Sequence, residues 1–178
     1  SQKGLSCPPG LGPFSMNDRA EVKMNNRQDK VPNWYLDVSL LNKYWGSDRV
    51  YHHTAPVNMN FGIREALRLL AEEGLESSWD RHRKNAESLW NSLENIGLQL
   101  QVEEELRLPT LTTVKIPEGI DGKAFARHLL NNCGVEIGGG LGDLAGKVWR
   151  IGLMGYNSTS TNVDKIINIF ETELPKFR

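Results

Sequence analysis

The order of helix-type and strand-type patterns after residue 74 is the feature that most constrains the fold. From Leu75 the chain passes through a long one-sided apolar pattern, two short strand-like stretches, a helical segment, two more strand-like stretches and a closing helical segment. This order predicts helix, strand, strand, helix, strand, strand, helix. We therefore expect residues 75–178 to form a two-layer α+β domain with helices packed over a small sheet.

The individual elements follow from local patterns. The segment 75–96 carries RHRKN and EN on one side and an apolar stripe on the other, which predicts a long amphipathic helix ended by Gly97. The stretches LQLQV, LTTVKI, VEIG and VWRIGLM predict strands, and GKAFARHLLNNC and the segment from 158 to Pro175 predict helices. The stripe of the long helix consists of Leu75, Trp79, Ala86, Leu89, Trp90, Leu93 and Ile96.

Residues 1–74 have a different character. Prolines and glycines block a helix before residue 15, and helical patterns then follow in the polar segment after it, in WYLDVSLLNKYWG and in FGIREALRLLAEEG. No convincing strands are present, and the apolar residues are too few to close a core. We expect this part to belong to something larger and to expose apolar side chains, namely Trp34, Leu40, Leu41 and Leu67.

Charge and composition exclude several classes of protein. The 178 residues contain 21 Lys and Arg against 22 Asp and Glu, a net charge of −1 with the signs mixed, so no nucleic-acid partner is indicated. No apolar run is long enough to span a membrane. Two cysteines far apart predict neither a disulfide framework nor a zinc cluster, and they favour a reducing compartment. The final KFR does not match the peroxisomal address, so we expect a cytoplasmic setting, with targeting to a peroxisome or mitochondrion left open.

The stretch GGGLGDLAGK satisfies a G-x-G-x-x-A pattern, but its context does not support nucleotide binding. A dinucleotide fingerprint opens a helix, whereas here a strand pattern follows. We therefore predict a glycine hairpin. The adjacent His52 and His53 point in opposite directions on an extended segment, and His82 and His128 lie on predicted helices, so we expect no metal site.

Four polar residues remain open to a structural or a functional interpretation. Tyr51 and Thr54 are hydroxyl donors in a polar turn ahead of a helix, suited to a phosphate or to ordinary loop hydrogen bonds. Arg150 lies in the apolar strand VWRIGLM, either on the solvent face of an edge strand or aimed at a carboxylate. Lys3, judged alone, would be a solvated terminal lysine.

Four stretches occur together in a fixed order: SQKGLSCPPG at the start, YHHTAP at 51–56, LRLPTLTTV at 106–114 and GGGLGDLAGKVWRIGLMG at 138–155. As a set they resemble the C-terminal half of the alanine/glyoxylate (serine/pyruvate) aminotransferases, in class V of the fold type I enzymes that use pyridoxal 5′-phosphate. The resemblance implies an α/β fold overall. It also implies an aminotransferase that moves an amino group from alanine or serine to glyoxylate or pyruvate.

The resemblance also implies roles for individual residues. Lys3 matches the lysine that holds the cofactor as a Schiff base and then moves the substrate proton. Gln2 matches a residue beside the cofactor phosphate, and Tyr51 and Thr54 match phosphate ligands that reach across a homodimer interface. Arg150 matches the arginine that binds the substrate carboxylate, and the expected partners are a small amino acid and a 2-oxo acid.

The resemblance covers this chain but only half of such an enzyme. We therefore expect a fragment, with 1–74 the C-terminal remnant of the large cofactor-binding domain and 75–178 the small domain. The aspartate that pairs with the pyridine nitrogen would lie in the other half, so we expect the isolated chain to be inactive. Two alternatives stay open: another amino donor, such as a hydroxykynurenine, and a non-catalytic α+β binding module.

Overall fold

The computed structural model describes all of residues 1–178, which form six α-helices and three β-strands, joined in part by short 3₁₀ turns and by one π-helical segment, Leu129–Cys133. Residues 1–74 contain three helices, and the fourth begins directly after Gly74. The strands and the last two helices follow. The bounds are α1 Asp18–Asn25, α2 Val38–Trp45, α3 Val57–Glu73, α4 Leu75–Asn95, β1 Leu111–Lys115, α5 Gly122–His128, β2 Gly138–Gly139, β3 Val148–Gly152 and α6 Ser160–Glu173.

The three strands form one antiparallel sheet in the order β1-β3-β2, so β3 lies in the centre. Two predicted strands are shorter than their patterns indicate. Of the third stretch, VEIG, only Gly138 pairs with β3, together with the following Gly139, and LQLQV contributes a single bridge between Leu100 and Val114. The two strands that pair over five residues are the two with β-branched or aromatic side chains in their interiors.

The core lies between the sheet and the helices α4, α5 and α6. Its centre is aromatic: Trp149 is 1% exposed, and Phe125 and Phe170 are almost fully covered and pack around it with ring centroids 5.0–5.7 Å apart. Edge-to-face contacts of this kind add to the stabilisation from buried apolar area. The predicted arrangement of helices over a small sheet is confirmed.

The helix α4 departs from the predicted stripe in its first half. Leu75 and Trp79 are 49% and 60% exposed, whereas Ser78 and His82 are buried. From Ala86 onward the predicted apolar residues face the core, except for the half-buried Trp90. The buried face of α4 is therefore polar near its amino terminus and apolar further along.

Residues 1–74 contribute little to the core. The buried residues of this part are Cys7, His52 and Ala66. Of the four apolar side chains expected to lack cover, Trp34 and Leu67 are 55% and 49% exposed, while Leu40 and Leu41 are half-buried. The stretch WYLDVSLLNKYWG, predicted as one helix, is divided at Asp37 into a 3₁₀ turn and α2. None of the helices combines the length and apolarity needed to cross a membrane.

Candidate active site

Lys3 lies at the tip of a closed turn at the start of the chain. The backbone N–H of Ser6 donates to the carbonyl of Lys3 at 2.9 Å, and the N–H of Cys7 donates to the carbonyl of Ser1 at 3.2 Å. Cys7 is buried beside Gly62 of α3, which holds the base of the turn. The side chain of Lys3 is exposed, and its ammonium makes no hydrogen bond or ion pair within the chain.

The turn that carries Lys3 is fixed to the loop that follows β3. The backbone N–H of Tyr156 donates to the hydroxyl of Ser6 at 2.8 Å. Gly155 has φ +60°, and a Cβ at this position would lie 2.1 Å from Ser6 Oγ and 2.8 Å from Gly4 O. Only glycine fits so close an approach in a left-handed conformation. The two segments are 150 residues apart in sequence.

His82 of α4 binds the backbone N–H of Gly155, on the side of the loop away from the turn of Lys3. One ring nitrogen, Nδ1, lies 2.6 Å from the carbonyl oxygen of Ser78, which can only accept, so Nδ1 carries the proton. The other nitrogen, Nε2, accepts the backbone N–H of Gly155 at 2.8 Å. Both ring nitrogens are thus used, and their partners define a single neutral tautomer.

Arg81 binds the carbonyl groups of the same loop. Its Nη1 donates to Gly155 O at 3.0 Å and to Ser158 O at 2.6 Å, and its other nitrogens pair with both carboxylate oxygens of Glu73. The hydrogen bond from Arg81 holds the pKa of the Glu73 carboxyl below its ordinary value of 4.5, and the same pair raises the pKa of Arg81. A charged pair from α3 and α4 therefore supports the loop.

Arg150 lies on the central strand β3, so the solvent face of an edge strand is ruled out. Its neighbours across the sheet are Thr113 and Gly138. The Nε atom donates to the carbonyl of Gly139 at 2.6 Å, and a Cβ on Gly138 would lie 3.3 Å from Nη2. The two Nη groups have no partner within the chain, so the planar fork is oriented by the strand and free to bind a carboxylate.

Tyr51 and Thr54 lie together in the loop before α3. Their hydroxyl oxygens are 3.2 Å apart, both residues are exposed, and Tyr51 is 71% exposed. Between them, His52 stacks on Trp34 at 4.1 Å, and its Nδ1 lies 2.9 Å from that of His53. The two rings do not point in opposite directions as expected, because they are perpendicular and share a hydrogen bond.

The other site residues are placed separately. The side-chain oxygen of Gln2 accepts a hydrogen bond from the terminal amino group of Ser1 at 3.4 Å. No hydrogen bond or ion pair within the chain joins Lys3, Arg150 and Tyr51 directly. The structure thus brings the turn of Lys3 to the loop that ends β3, and it keeps the two hydroxyl donors in a separate exposed loop.

The glycine stretch forms a compact connection between β2 and β3. A Cβ at Gly140 would lie 1.9 Å from the carbonyl oxygen of Leu144, so the backbone folds tightly onto itself. A 3₁₀ turn at Gly142–Leu144 leads into β3, as expected for a hairpin. There is no helix amino terminus here to face a pyrophosphate.

One cluster of side chains of the kinds that bind metal ions lies between α5 and the end of α6. His128, Cys133 and Glu173 place one ligand atom each within 4.8 Å of one another. The two carboxylate oxygens of Glu173 are already paired, with His128 Nε2 and with Lys176 Nζ, each at 2.7 Å. These pairs, first Lys176 and then His128, lower the pKa of Glu173. Both oxygens of the Glu173 carboxylate therefore already have partners within the chain, and the contact with His128 joins α5 to the end of α6.

Comparison with known proteins shows the family of the chain. The model of the family "Aminotransferase class-V" matches residues 1–166. Alanine–glyoxylate aminotransferase of Oryctolagus cuniculus is 47% identical over 170 residues, which make up 93% of this chain and 43% of that protein. The chain therefore belongs to the class V aminotransferases, a family that depends on pyridoxal 5′-phosphate.

Two solved structures show the same fold. Alanine–glyoxylate aminotransferase from Nostoc sp. superposes with a TM-score of 0.94 at 62% identity and covers 97% of this chain. Ureidoglycine–glyoxylate aminotransferase from Bacillus subtilis superposes with a TM-score of 0.95 at 38% identity and covers 99%. In both cases the match takes in 46% of the other chain, so this chain spans just under half the length of its relatives.

Three residues that fix the loop after β3 or join it to the turn of Lys3 are not predicted from the sequence. Ser6 and Gly155 belong to no motif that indicates a role, and His82 lies in RHRKN, which the pattern places on the polar side of the helix. A signal for His82 was present, because it lies four residues before Ala86 and seven before Leu89, on the same helical face. No local pattern pointed to Ser6 or Gly155.

Proposed function

We propose that this chain forms part of a pyridoxal-phosphate aminotransferase that moves an amino group from alanine or serine to glyoxylate or pyruvate. The observation that carries the proposal is Arg150, whose fork is held on the central strand by Gly139 while both Nη groups stay free. A guanidinium presented in this way suits two-point binding of a small carboxylate. Small amino acids and 2-oxo acids share that group.

The residues present fit the cofactor of the family. Lys3 offers an exposed amine without an intramolecular partner, and Tyr51 and Thr54 offer two hydroxyls 3.2 Å apart for a phosphate. When bound, pyridoxal phosphate supplies a ring that withdraws electrons from the substrate carbon next to the carboxylate. Lys3 would hold the cofactor covalently and then carry the proton to and from that carbon, while Gln2 would lie beside the phosphate.

The exposure of Tyr51 and Thr54 supports a homodimer with shared active sites. Both residues point away from the core of their own chain and are not held near Lys3 by any contact within it. Donors placed in this way suit a phosphate bound by a second copy. We infer that turnover of substrate needs two things that this chain lacks. One is a second copy, and the other is the part of the enzyme that its relatives have and that this chain does not span.

A second amino donor is favoured by one observation. The ureidoglycine–glyoxylate aminotransferase of Bacillus subtilis matches this fold as closely as the enzyme from Nostoc sp. does. Arg150 anchors the carboxylate common to these donors and does not distinguish among them. Assay of alanine, serine and ureidoglycine with glyoxylate as the common acceptor would identify the donor of the complete protein.

The first test concerns Lys3. The 178-residue chain is incubated with pyridoxal phosphate, reduced with borohydride and digested, and the lysine that carries the pyridoxyl group is mapped by mass spectrometry. We expect selective labelling of Lys3, its loss in Lys3→Arg, and no change in Lys23→Arg, a matched change at an exposed lysine of α1. Labelling spread evenly over the exposed lysines would contradict a preformed cofactor site in this chain.

A further inference from the structure

We propose that His82 is a positioning residue that fixes the backbone at Lys3 through the loop after β3. The inference rests on the proposed function in one respect, namely that Lys3 is the lysine that binds the cofactor. The positioning itself follows from contacts within the chain. His82 does not approach Lys3, so its effect passes through Gly155 and Ser6.

A continuous set of hydrogen bonds connects the two residues. His82 Nε2 accepts the N–H of Gly155 at 2.8 Å, and the next N–H along the chain, that of Tyr156, donates to Ser6 Oγ at 2.8 Å. The N–H of Ser6 then donates to the carbonyl of Lys3 at 2.9 Å. Two successive amides of one loop thus point to opposite partners, one on α4 and one in the turn of Lys3.

The surroundings of His82 suit a rigid support. The ring is buried, and its Nδ1 proton is held by the carbonyl of Ser78 one helical turn earlier, so the ring has one orientation. Arg81 holds the carbonyl side of the same loop at Gly155 and Ser158. Arg81 binds carbonyl groups of the loop, whereas His82 binds an amide, that of Gly155. The next amide along the chain, that of Tyr156, donates to Ser6.

The close approach at Gly155 makes the coupling tight. A Cβ at this position would overlap Ser6 Oγ and lie 2.8 Å from Gly4 O, so the loop and the turn of Lys3 are in direct backbone contact. A shift of Gly155 away from His82 therefore moves the surface on which residues 4–6 rest. The turn of Lys3 is also held at its base, by Cys7 and by the hydrogen bonds of Ser1 to the carbonyls of Pro8 and Leu11.

Two substitutions separate the two hydrogen bonds of His82. An asparagine amide reaches as far as Nδ1, so His82→Asn keeps a donor for Ser78 and loses the acceptor for Gly155. A glutamine amide reaches as far as Nε2, so His82→Gln keeps an acceptor for Gly155 and loses the donor for Ser78. In the full chain without cofactor, amide hydrogen exchange at Gly155 and Tyr156 is measured by NMR. We expect exchange about tenfold faster or more in His82→Asn than in His82→Gln.

The second readout is the rate at which Lys3 is labelled by pyridoxal phosphate and borohydride. We expect His82→Asn to lower the share of label on Lys3 relative to Lys23, and His82→Gln to retain it, at melting temperatures matched between the two variants. Ser6→Ala provides an independent test, because it removes the contact with Tyr156 without touching α4. It should also free the Tyr156 amide and lower the labelling of Lys3.

Three results would overturn the inference. The first is unchanged exchange at Gly155 and Tyr156 in His82→Asn. The second is fast exchange of the Gly155 and Tyr156 amides in His82→Asn together with full labelling of Lys3, which would show that the loop does not position Lys3. The third is a long-range ¹H–¹⁵N spectrum in which His82 carries its proton on Nε2. Absence of labelling at Lys3 in the unsubstituted chain, with the expected exchange pattern, would instead contradict the proposed function and leave the support by His82 in place.

Discussion

The contact between Gly155 and the turn of Lys3 can be measured by adding a single methyl group. In Gly155→Ala the new Cβ meets Ser6 Oγ at 2.1 Å and Gly4 O at 2.8 Å, and the residue must keep φ +60°. The left-handed conformation alone costs a non-glycine residue about 1–2 kcal/mol. Relief of the overlap by shifting packed groups costs about 1–3 kcal/mol more. We expect the free energy of unfolding to fall by about 2–5 kcal/mol in total.

Gly134 offers a matched control for this measurement. It has φ +63°, close to that of Gly155, and a Cβ built on it meets nothing within 4 Å. Gly134→Ala therefore carries the conformational cost alone, about 1–2 kcal/mol. The difference between the two alanine variants isolates the overlap with the turn of Lys3, which should be about 1–3 kcal/mol.

Urea unfolding of both variants, followed by tryptophan fluorescence and extrapolated to zero denaturant, gives the two values. The turn of Lys3 can relieve the overlap in Gly155→Ala by moving away from the loop. In that case the two variants would differ less in stability, and the Tyr156 amide would exchange faster in Gly155→Ala. Equal stability of the two variants together with an unchanged Tyr156 amide would refute the close contact.

Three further predictions test other parts of the molecule. Trp149→Ala should lower the free energy of unfolding by about 3–5 kcal/mol, because it empties the centre of the aromatic core, and a loss below about 1 kcal/mol in urea unfolding would contradict that placement. The lowered pKa of Glu73 means that its pair with Arg81 stabilises the fold above pH 4.5 and ceases to do so as the pH falls below that value. Melting temperatures between pH 7 and 3 should thus fall less steeply in Glu73→Gln than in the unsubstituted chain, and equal slopes would contradict the pair. Arg150→Lys should lower kcat/KM of an active enzyme containing this chain by about 10- to 100-fold, as expected for a lost charged hydrogen bond. Arg127→Lys, a change at an exposed arginine of α5, should leave kcat/KM unchanged, and an equal loss in both variants would remove the special role of Arg150.

The helices and the sheet-forming segments were predictable because their signals are local. The stripe from Ala86 to Leu93 and the β-branched LTTVK stretch each define an element without reference to the rest of the chain. The limits of the strands were not predictable in the same way. Gly140 turns the chain tightly onto Leu144, so β2 ends at Gly139, and the preceding VEI segment does not pair with β3 although its pattern favours a strand.

The pattern around Arg150 predicted an unusual arginine but left its position open. An arginine between Trp149 and Ile151 must point away from the core face, because alternate residues of a strand face opposite sides. Whether that opposite side is an edge or the centre depends on pairing between segments far apart in sequence. The order β1-β3-β2 decides it, and with it the orientation of the guanidinium by Gly139.

The support of Lys3 illustrates why a site is harder to predict than a fold. Burying Ser78 and His82 at the start of α4 conflicts with the usual preference for apolar residues on a covered helical face. For His82 the conflict is resolved by two partners, the carbonyl of Ser78 within the helix and the amide of Gly155, which is 73 residues away in the loop after β3. A buried polar group is tolerated only where such partners exist. The start of α4 can therefore bury polar residues because the loop after β3 packs against it. The same loop contacts the turn of Lys3, so the position of that loop at the end of the sheet links the fold of the small sheet to the candidate site.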